Sequence, residues 1–357
     1  MKIKRTVVTV ILALFLSSCA KNNTATVVTG TTTSAAEEPV TSVHETVFSD
    51  TTTAVSSELI TERSYESSAE QSRNISETKT ESTTEAASEE NEKQSIPDGL
   101  PLHSAAAVYC VEDDAMLYED NINTRISLAS LTKLLTASTA LYYLDPETVC
   151  TVGSEQTLVE PGSSICYVFP GNKLTLTDLI TGMLMASGND AAYAVAVNTS
   201  RFVSSDTGMS DKEATEYFCE LMNVFALDIG MTDSHFVNPD GWDDDEQYTT
   251  ASDLVTLAKY TLSVPEIKSI TSTHQKRVVY YSGEVAVWTN SNKLLDPESP
   301  YYRENAVGLK TGTTDSAGNC LIAAFEENGK TYISVVAGCE SSNDRYELTL
   351  KLIDNFI

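Results

Sequence analysis

The sequence predicts an α/β (α+β) fold: a central antiparallel sheet flanked by helices, with a helical subdomain, carried behind a disordered N-terminal stalk. Three observations predict it. Strand-like apolar runs lie at both ends of the organised part, and helix-like periodicity fills the middle. Asn328-Gly329 joins two long apolar runs near the C-terminus, the strongest short hairpin signal. Composition shifts near Ile96, where Thr, Ser and Glu give way to apolar patterning.

Taken in order, residues 1–19 read as an export signal. Lys2, Lys4 and Arg5 precede an apolar run from Val7 to Leu16 that is short for a bilayer span. Leu16-Ser17-Ser18-Cys19 is similar to a bacterial lipobox, in which Cys19 would be diacylated and become the mature N-terminus; the alternative is an ordinary signal with a chance cysteine. Residues 20–98 are rich in Thr, Ser, Glu and Ala with few aromatics. Such a segment cannot bury enough apolar surface to offset chain entropy, so it is expected to be a disordered, extended spacer. Residues 99–357 are expected to form the globular domain.

Within that domain, "AAAVYCVEDDAMLYED" reads as two strands joined at Glu112-Asp113-Asp114. "SLASLTKLLTA" reads as a helix that places Ser130 and Lys133 on one face beside Leu131, Leu134 and Leu135. A lone Ser-x-x-Lys is satisfied by a capping serine and a solvated lysine. "LTLTDLITGMLMAS" is a second helix, started by Thr177 or Asp178, and "NDAAYAVAVNTS" a short third. "EATEYFCELMNVFALDIGM" is amphipathic and stops at Gly230; Thr250 and Asp253 cap the helix in "TTASDLVTLAKYTL". After the hairpin, "DRYELTLKLIDNFI" closes the chain as a helix. No internal repeat is present.

A net charge of −28 without a basic stripe excludes nucleic acid as a partner class. Besides Cys19 there are six cysteines and no C-x-x-C. Cys110, Cys320 and Cys339 sit in apolar runs and should be buried, and Cys150 could pair with Cys166 outside the cytoplasm. The four histidines, His44, His103, His235 and His274, form no persuasive triad and no ligand-spaced pair, so no metal or cofactor is expected. Asp243-Asp244-Asp245-Glu246 lacks the alternating ligands and turn glycine of a calcium loop and reads as a solvated loop.

Two further stretches change the reading of Ser130. "MASGNDAAYA" puts Ser187-Gly188-Asn189 at a break between apolar helices, and Lys310-Thr311-Gly312-Thr313 ends a strand-like run. Ser-x-x-Lys, Ser-x-Asn and Lys-Thr-Gly in this order resemble the motif set of penicillin-binding proteins and class A β-lactamases. "ISLASLTKLLTA", "LMASGNDAAYAVA", "HFVNPDGW", "TNSNKLL" and "VGLKTGTTDSAGNCLIAA" are similar to the low-molecular-weight penicillin-binding proteins, the serine-type D-alanyl-D-alanine carboxypeptidases. The likeness runs from about Ala105 to the C-terminus. Trp242 stands where that family more often has Leu, and the sequence stops at Ile357, where many relatives continue into a β-rich domain and an amphipathic helix. On this reading the lipid at Cys19 is expected to hold the protein at the outer face of the bacterial cytoplasmic membrane.

The resemblance implies a β-lactamase/transpeptidase-like fold and a set of roles. Ser130 would form an acyl-enzyme after Lys133 accepts its proton, with that lysine's pKa lowered by its leucine neighbours and by the cation of Lys310. Ser187 would relay a proton to the leaving amine, and Asn189 would hold the acyl-side amide and Lys133. Lys310, Thr311 and Thr313 would bind the substrate carboxylate at a strand that Gly312 leaves open to close approach. Backbone N–H groups of Ser130 and Thr313 would form an oxyanion hole. The implied partners are peptidoglycan stem peptide and, as inhibitors, β-lactam antibiotics; oligomeric state stays open. Alternatives are a D,D-endopeptidase of the same family, a class A β-lactamase, for which Glu220-Leu221-Met222-Asn223 has the wrong spacing, and a non-catalytic wall-binding lipoprotein.

Overall fold

A computed structural model describes residues 101–357. The export signal, the lipobox with Cys19 and the Ser/Thr/Glu-rich linker lie outside the described residues. Five antiparallel strands make the main sheet: β1 (Ala105–Cys110), β2 (Ala115–Asp120), β7 (Ala306–Thr314), β8 (Gly318–Glu327) and β9 (Lys330–Cys339). Their spatial order is β2-β1-β9-β8-β7, so the first strand of the domain pairs with the last. The β8–β9 turn falls at Asn328-Gly329, both with positive φ, as the hairpin signal requires.

Alternation along the strands explains why these runs look apolar throughout. Ala105, Ala107 and Tyr109 of β1 join one core, while Ala106, Val108 and Cys110 join another on the opposite face. The second core is closed by α7 (Asp344–Ile353), whose Tyr346, Leu348 and Leu352 are buried. The first is closed by the helical middle of the chain. That middle holds α1 (Thr132–Tyr143), α2 (Leu176–Met185), α3 (Asn189–Ser204), α4 (Asp211–Ile229), α5 (Ala251–Ser263) and α6 (Pro265–Thr271). Both sheet faces are covered, so neither needs a polar alternation.

Helix limits follow local chemistry. Ser210 and Glu213 form a reciprocal capping box at the start of α4, which ends at Gly230 with φ +99°. Thr250 Oγ1 accepts from Asp253 N to start α5. The start of α2 differs from expectation: Thr175 is the cap, accepting from Asp178 N at 3.0 Å, and Thr177 lies inside the first turn. Two short ribbons were not legible in the sequence, β3–β4 (Val149–Thr151 with Lys173–Thr175) and β5–β6 (Gln275–Val279 with Val285–Thr289). Three-residue strands carry too little alternation to show a period, and in the second ribbon Lys276 and Arg277 interrupt the apolar pattern of β5.

Cys150 and Cys166 are both buried and unpaired, so the disulfide is not formed; Cys166 Sγ instead packs where side chains on Gly182 and Gly188 would lie. Cys110, Cys320 and Cys339 are buried as expected. In the acidic run, Asp244 accepts from Glu246 N, the bonding of a turn, and Asp243 accepts from Ser316 N in the loop after β7.

Candidate active site

Ser130 sits in a 3-10 turn, Ala129–Leu131, that leads into α1. Ala129 has φ +49°, a left-handed conformation that costs a non-glycine residue roughly 1–2 kcal/mol and holds the turn off the helical path. One turn on, Lys133 is fully buried, with Nζ 2.9 Å from Ser130 Oγ and 2.6 Å from the Asp240 carbonyl oxygen. The loop that supplies this carbonyl is clamped to α1, because Thr136 Oγ1 donates to Pro239 O at 2.6 Å. Gly241 fits there at φ +87° only because it has no side chain: a Cβ would lie 1.8 Å from Ala129 O. Burial lowers the pKa of Lys133 to about 8, against the opposing pull of the Asp240 and Asp190 carboxylates.

Ser187 and Asn189 occupy the break between α2 and α3. Ser187 has φ +58°, and its Oγ accepts from Lys310 Nζ at 2.9 Å. Asn189 opens α3, its backbone N–H donating to Ser164 O. Its side chain, although buried, makes no hydrogen bond to Lys133 among the described residues, unlike the implied role. Beside it, Asp190 accepts from the N–H groups of Cys166, Val168 and Ala191 and so ties the preceding loop to the helix start.

Strand β7 forms the third wall. Lys310 is 1% exposed, and its Nζ also donates to Thr311 O at 2.9 Å. Burial, then the cations of Lys133 and Arg345, hold its pKa well below the ordinary lysine value. Burial is thus the main cause of the lowered proton affinity of both lysines, and the Lys133 cation adds to the lowering at Lys310. Thr311 Oγ1 lies 2.8 Å from Ser291 Oγ. A Cβ on Gly312 would stand 3.0 Å from Leu128 O and 3.2 Å from Ser130 N, so glycine is what lets β7 lie against the turn carrying Ser130. Arg345 reaches from α7 to Gly312 O and Thr313 Oγ1, both at 3.0 Å.

All eight site residues expected in the described chain therefore gather at one place, where the Ala129–Leu131 turn, the α2–α3 break and the end of β7 meet. None of the three described histidines bonds to Ser130; His103 pairs with Asp120, and His235 Nδ1 meets Glu246 O. Glu220 is exposed on α4, while Asn223 brackets the backbone of Phe236. Sequence reasoning missed Asp240, Asp190 and Arg345. "HFVNPDGW" was visible as a family-like stretch, but a main-chain carbonyl has no sequence signature, and Arg345 is a single cation on an otherwise ordinary amphipathic helix.

A serine hydroxyl touching a buried lysine of lowered proton affinity, faced by a second serine–lysine contact, is equipped for nucleophilic acyl transfer. The comparisons place that chemistry in a family. Residues 93–341 match the family model of the D-alanyl-D-alanine carboxypeptidases, peptidase S11, and the chain belongs to that family. It is 28% identical over 257 residues to the D-alanyl-D-alanine carboxypeptidase DacF of Bacillus subtilis, covering 71% of this chain and 62% of the relative. It is 30% identical over 276 residues to DacA of Escherichia coli K12, covering 74% and 63%. The chain thus spans somewhat under two thirds of the length of these relatives. Among solved structures, the Streptomyces K15 DD-transpeptidase is similar at 26% identity and a TM-score of 0.63, covering 72% of this chain and 98% of that one. Penicillin-binding protein D2 of Listeria monocytogenes, in an ampicillin-bound form, is 29% identical with a TM-score of 0.58, covering 71% and 96%.

Proposed function

We propose that the protein is a serine D-alanyl-D-alanine carboxypeptidase that removes the terminal D-alanine from peptidoglycan stem pentapeptides and is acylated by β-lactams. The observation that carries this reading is the pair of contacts Lys133–Ser130 and Lys310–Ser187 at one cleft, each 2.9 Å.

The resting site holds Lys133 and Lys310, both with proton affinity lowered by burial. A substrate carboxylate at Lys310, Thr311 and Thr313 stabilises the Lys310 ammonium, and that cation lowers the proton affinity of Lys133. Lys133 then accepts the proton of Ser130 as Oγ attacks the carbonyl carbon of the penultimate D-alanine. The peptide C–N bond breaks, and the proton travels through Ser187 to the departing amine. Backbone N–H groups of Ser130 and Thr313 receive the charge on the carbonyl oxygen, a contribution of roughly 3–4 kcal/mol where such donors have been removed. Water then cleaves the ester and returns Ser130 its proton. Asn189, whose side chain makes no hydrogen bond to Lys133 among the described residues, is assigned to the acyl-side amide of the substrate.

The same reading extends to the N-terminal part. Cys19 is the lipid attachment site, residues 20–98 are the spacer, and the domain works at the outer face of the cytoplasmic membrane. Its support is the signal-like sequence ahead of Cys19 and the extracytoplasmic location of peptidoglycan.

Incubation with a muramyl pentapeptide tests the reaction. One D-alanine released per tetrapeptide formed is expected. No release, with cleavage of a cross-linked dimer instead, would replace the carboxypeptidase reading with an endopeptidase.

A further inference from the structure

Asp240 serves the site with one end and leaves the other unexplained. Its carbonyl oxygen accepts from Lys133 Nζ, whereas its side chain is 1% exposed, with Oδ1 accepting from Trp242 N at 3.2 Å and Oδ2 lacking any partner. A buried carboxylate with an unmet acceptor is expensive unless a positive charge compensates it. Loop geometry fixes its place: Pro239 O is held by Thr136, and Gly241 is wedged against Ala129, so residue 240 cannot swing away from α1.

The surrounding charges single out Lys133 as what compensates it. Asp240 faces Lys133 on α1, Tyr193 on α3, Cys219 on α4 and Glu160 on the loop before α2, and Lys133 is the one cation among them. Seen from Lys133, the acidic neighbours are Asp240, Asp190 and the thiol of Cys166, with Lys310 on the facing strand. Asp190 is spent on three backbone N–H groups. Asp240 has an oxygen to spare.

We propose that the Asp240 carboxylate is a positioning residue, the counter-charge that holds the proton on Lys133 in the resting site and so sets the pH at which the Ser130–Lys133 pair becomes reactive. The proposal rests on the reading of Lys133 as the group that accepts the Ser130 proton. It assigns Asp240 no contact with substrate. Burial drives Lys133 towards the neutral amine, and Asp240 restrains that loss.

The test is the Lys133 titration, followed in the full chain by NMR of lysines labelled with carbon-13 at Cε, with the resonance assigned by its absence from Lys133→Met. Asp240→Asn and Asp240→Thr both remove the charge and keep the main-chain carbonyl. In each, the Lys133 midpoint should fall from about 8 by about one pH unit, the lower end of what an opposite charge contributes. The rising limb of β-lactam acylation against pH should move down with it, so that in the acid arm each variant reaches a larger fraction of its own plateau than wild type does. General damage to the fold does not raise that fraction. A midpoint that stays put or rises in either folded variant overturns the proposal, as does a shift in one and not the other, since shape rather than charge would then be responsible. A midpoint that falls while the acylation limb stays fixed supports the role of Asp240 and instead removes Lys133 from the role of base.

Discussion

The two lysines of the site do different work, although both are dry and each touches a serine. Lys133 is close to half-neutral near pH 8 and has a hydroxyl to deprotonate; Lys310 holds its proton weakly until an anion arrives. Acylation should therefore rise as pH climbs through about 8, because it is the neutral form of a lysine with a lowered pKa that reacts, and should fall away on the acid side. A stopped-flow pH profile with a penicillin reads this; a rate that declines between pH 7 and 9 is the opposite sign. Lys133→Ala should slow acylation by every ligand, by roughly a hundred- to ten-thousand-fold, the usual worth of a general base. Lys310→Ala should cost about ten- to a hundred-fold for a ligand with a carboxylate, and much less for its carboxamide, because a charge-assisted hydrogen bond is what is lost. Equal penalties on the matched pair would deny Lys310 its anchor role.

At the scale of elements, the site is a junction of three pieces that barely tolerate side chains where they meet. Gly241 and Gly312 both lie against the Ala129–Leu131 turn. Gly241→Ala places a methyl group on the Ala129 carbonyl and asks a residue with φ +87° to carry a Cβ. The loop must retreat, taking the Asp240 carbonyl from Lys133. A loss of more than about 1 kcal/mol in stability is expected, beyond the ordinary cost of alanine at positive φ, together with slower acylation. Thermal melting and β-lactam labelling measured on one preparation check both; an unaltered melt and rate would show that the loop is not held there. The elements themselves were largely legible. The Asn328-Gly329 hairpin, the Gly230 stop and the Thr250 cap each have a local cause that a sequence displays. The β5–β6 ribbon and the Thr175 cap are local but weakly marked, since Lys276 and Arg277 interrupt the apolar pattern of β5 and Thr177 offers a competing start for α2. The clamp of residues 239–241 on α1 depends on contacts between distant segments, which local patterning does not encode. The serine and lysine motifs were visible because side-chain chemistry names them; the Asp240 carbonyl was not, because any residue supplies one.

At the largest scale, the described domain closes a sheet with strands from its own first and last parts and seats the site between that sheet and the helical middle. The proposed N-terminal parts add placement rather than chemistry. Among the described residues no helix is long and apolar enough to cross a membrane. On the proposed lipid anchor, Cys19→Ser is expected to move the exported protein from the membrane fraction to the soluble one. Retention equal to wild type would refute the lipid anchor. Deleting residues 20–95 should leave melting temperature and D-alanine release unchanged, since that composition offers no core; a lower melting temperature would give the linker a structural share. The central claim is that Ser130 is the nucleophile, and the site of covalent attachment decides it. Labelling with benzylpenicillin followed by peptide mass spectrometry should place one penicilloyl group on Ser130 in the wild type and none on Ser130→Ala. An adduct on any other residue, or a Ser130→Ala protein that still labels, would contradict the account.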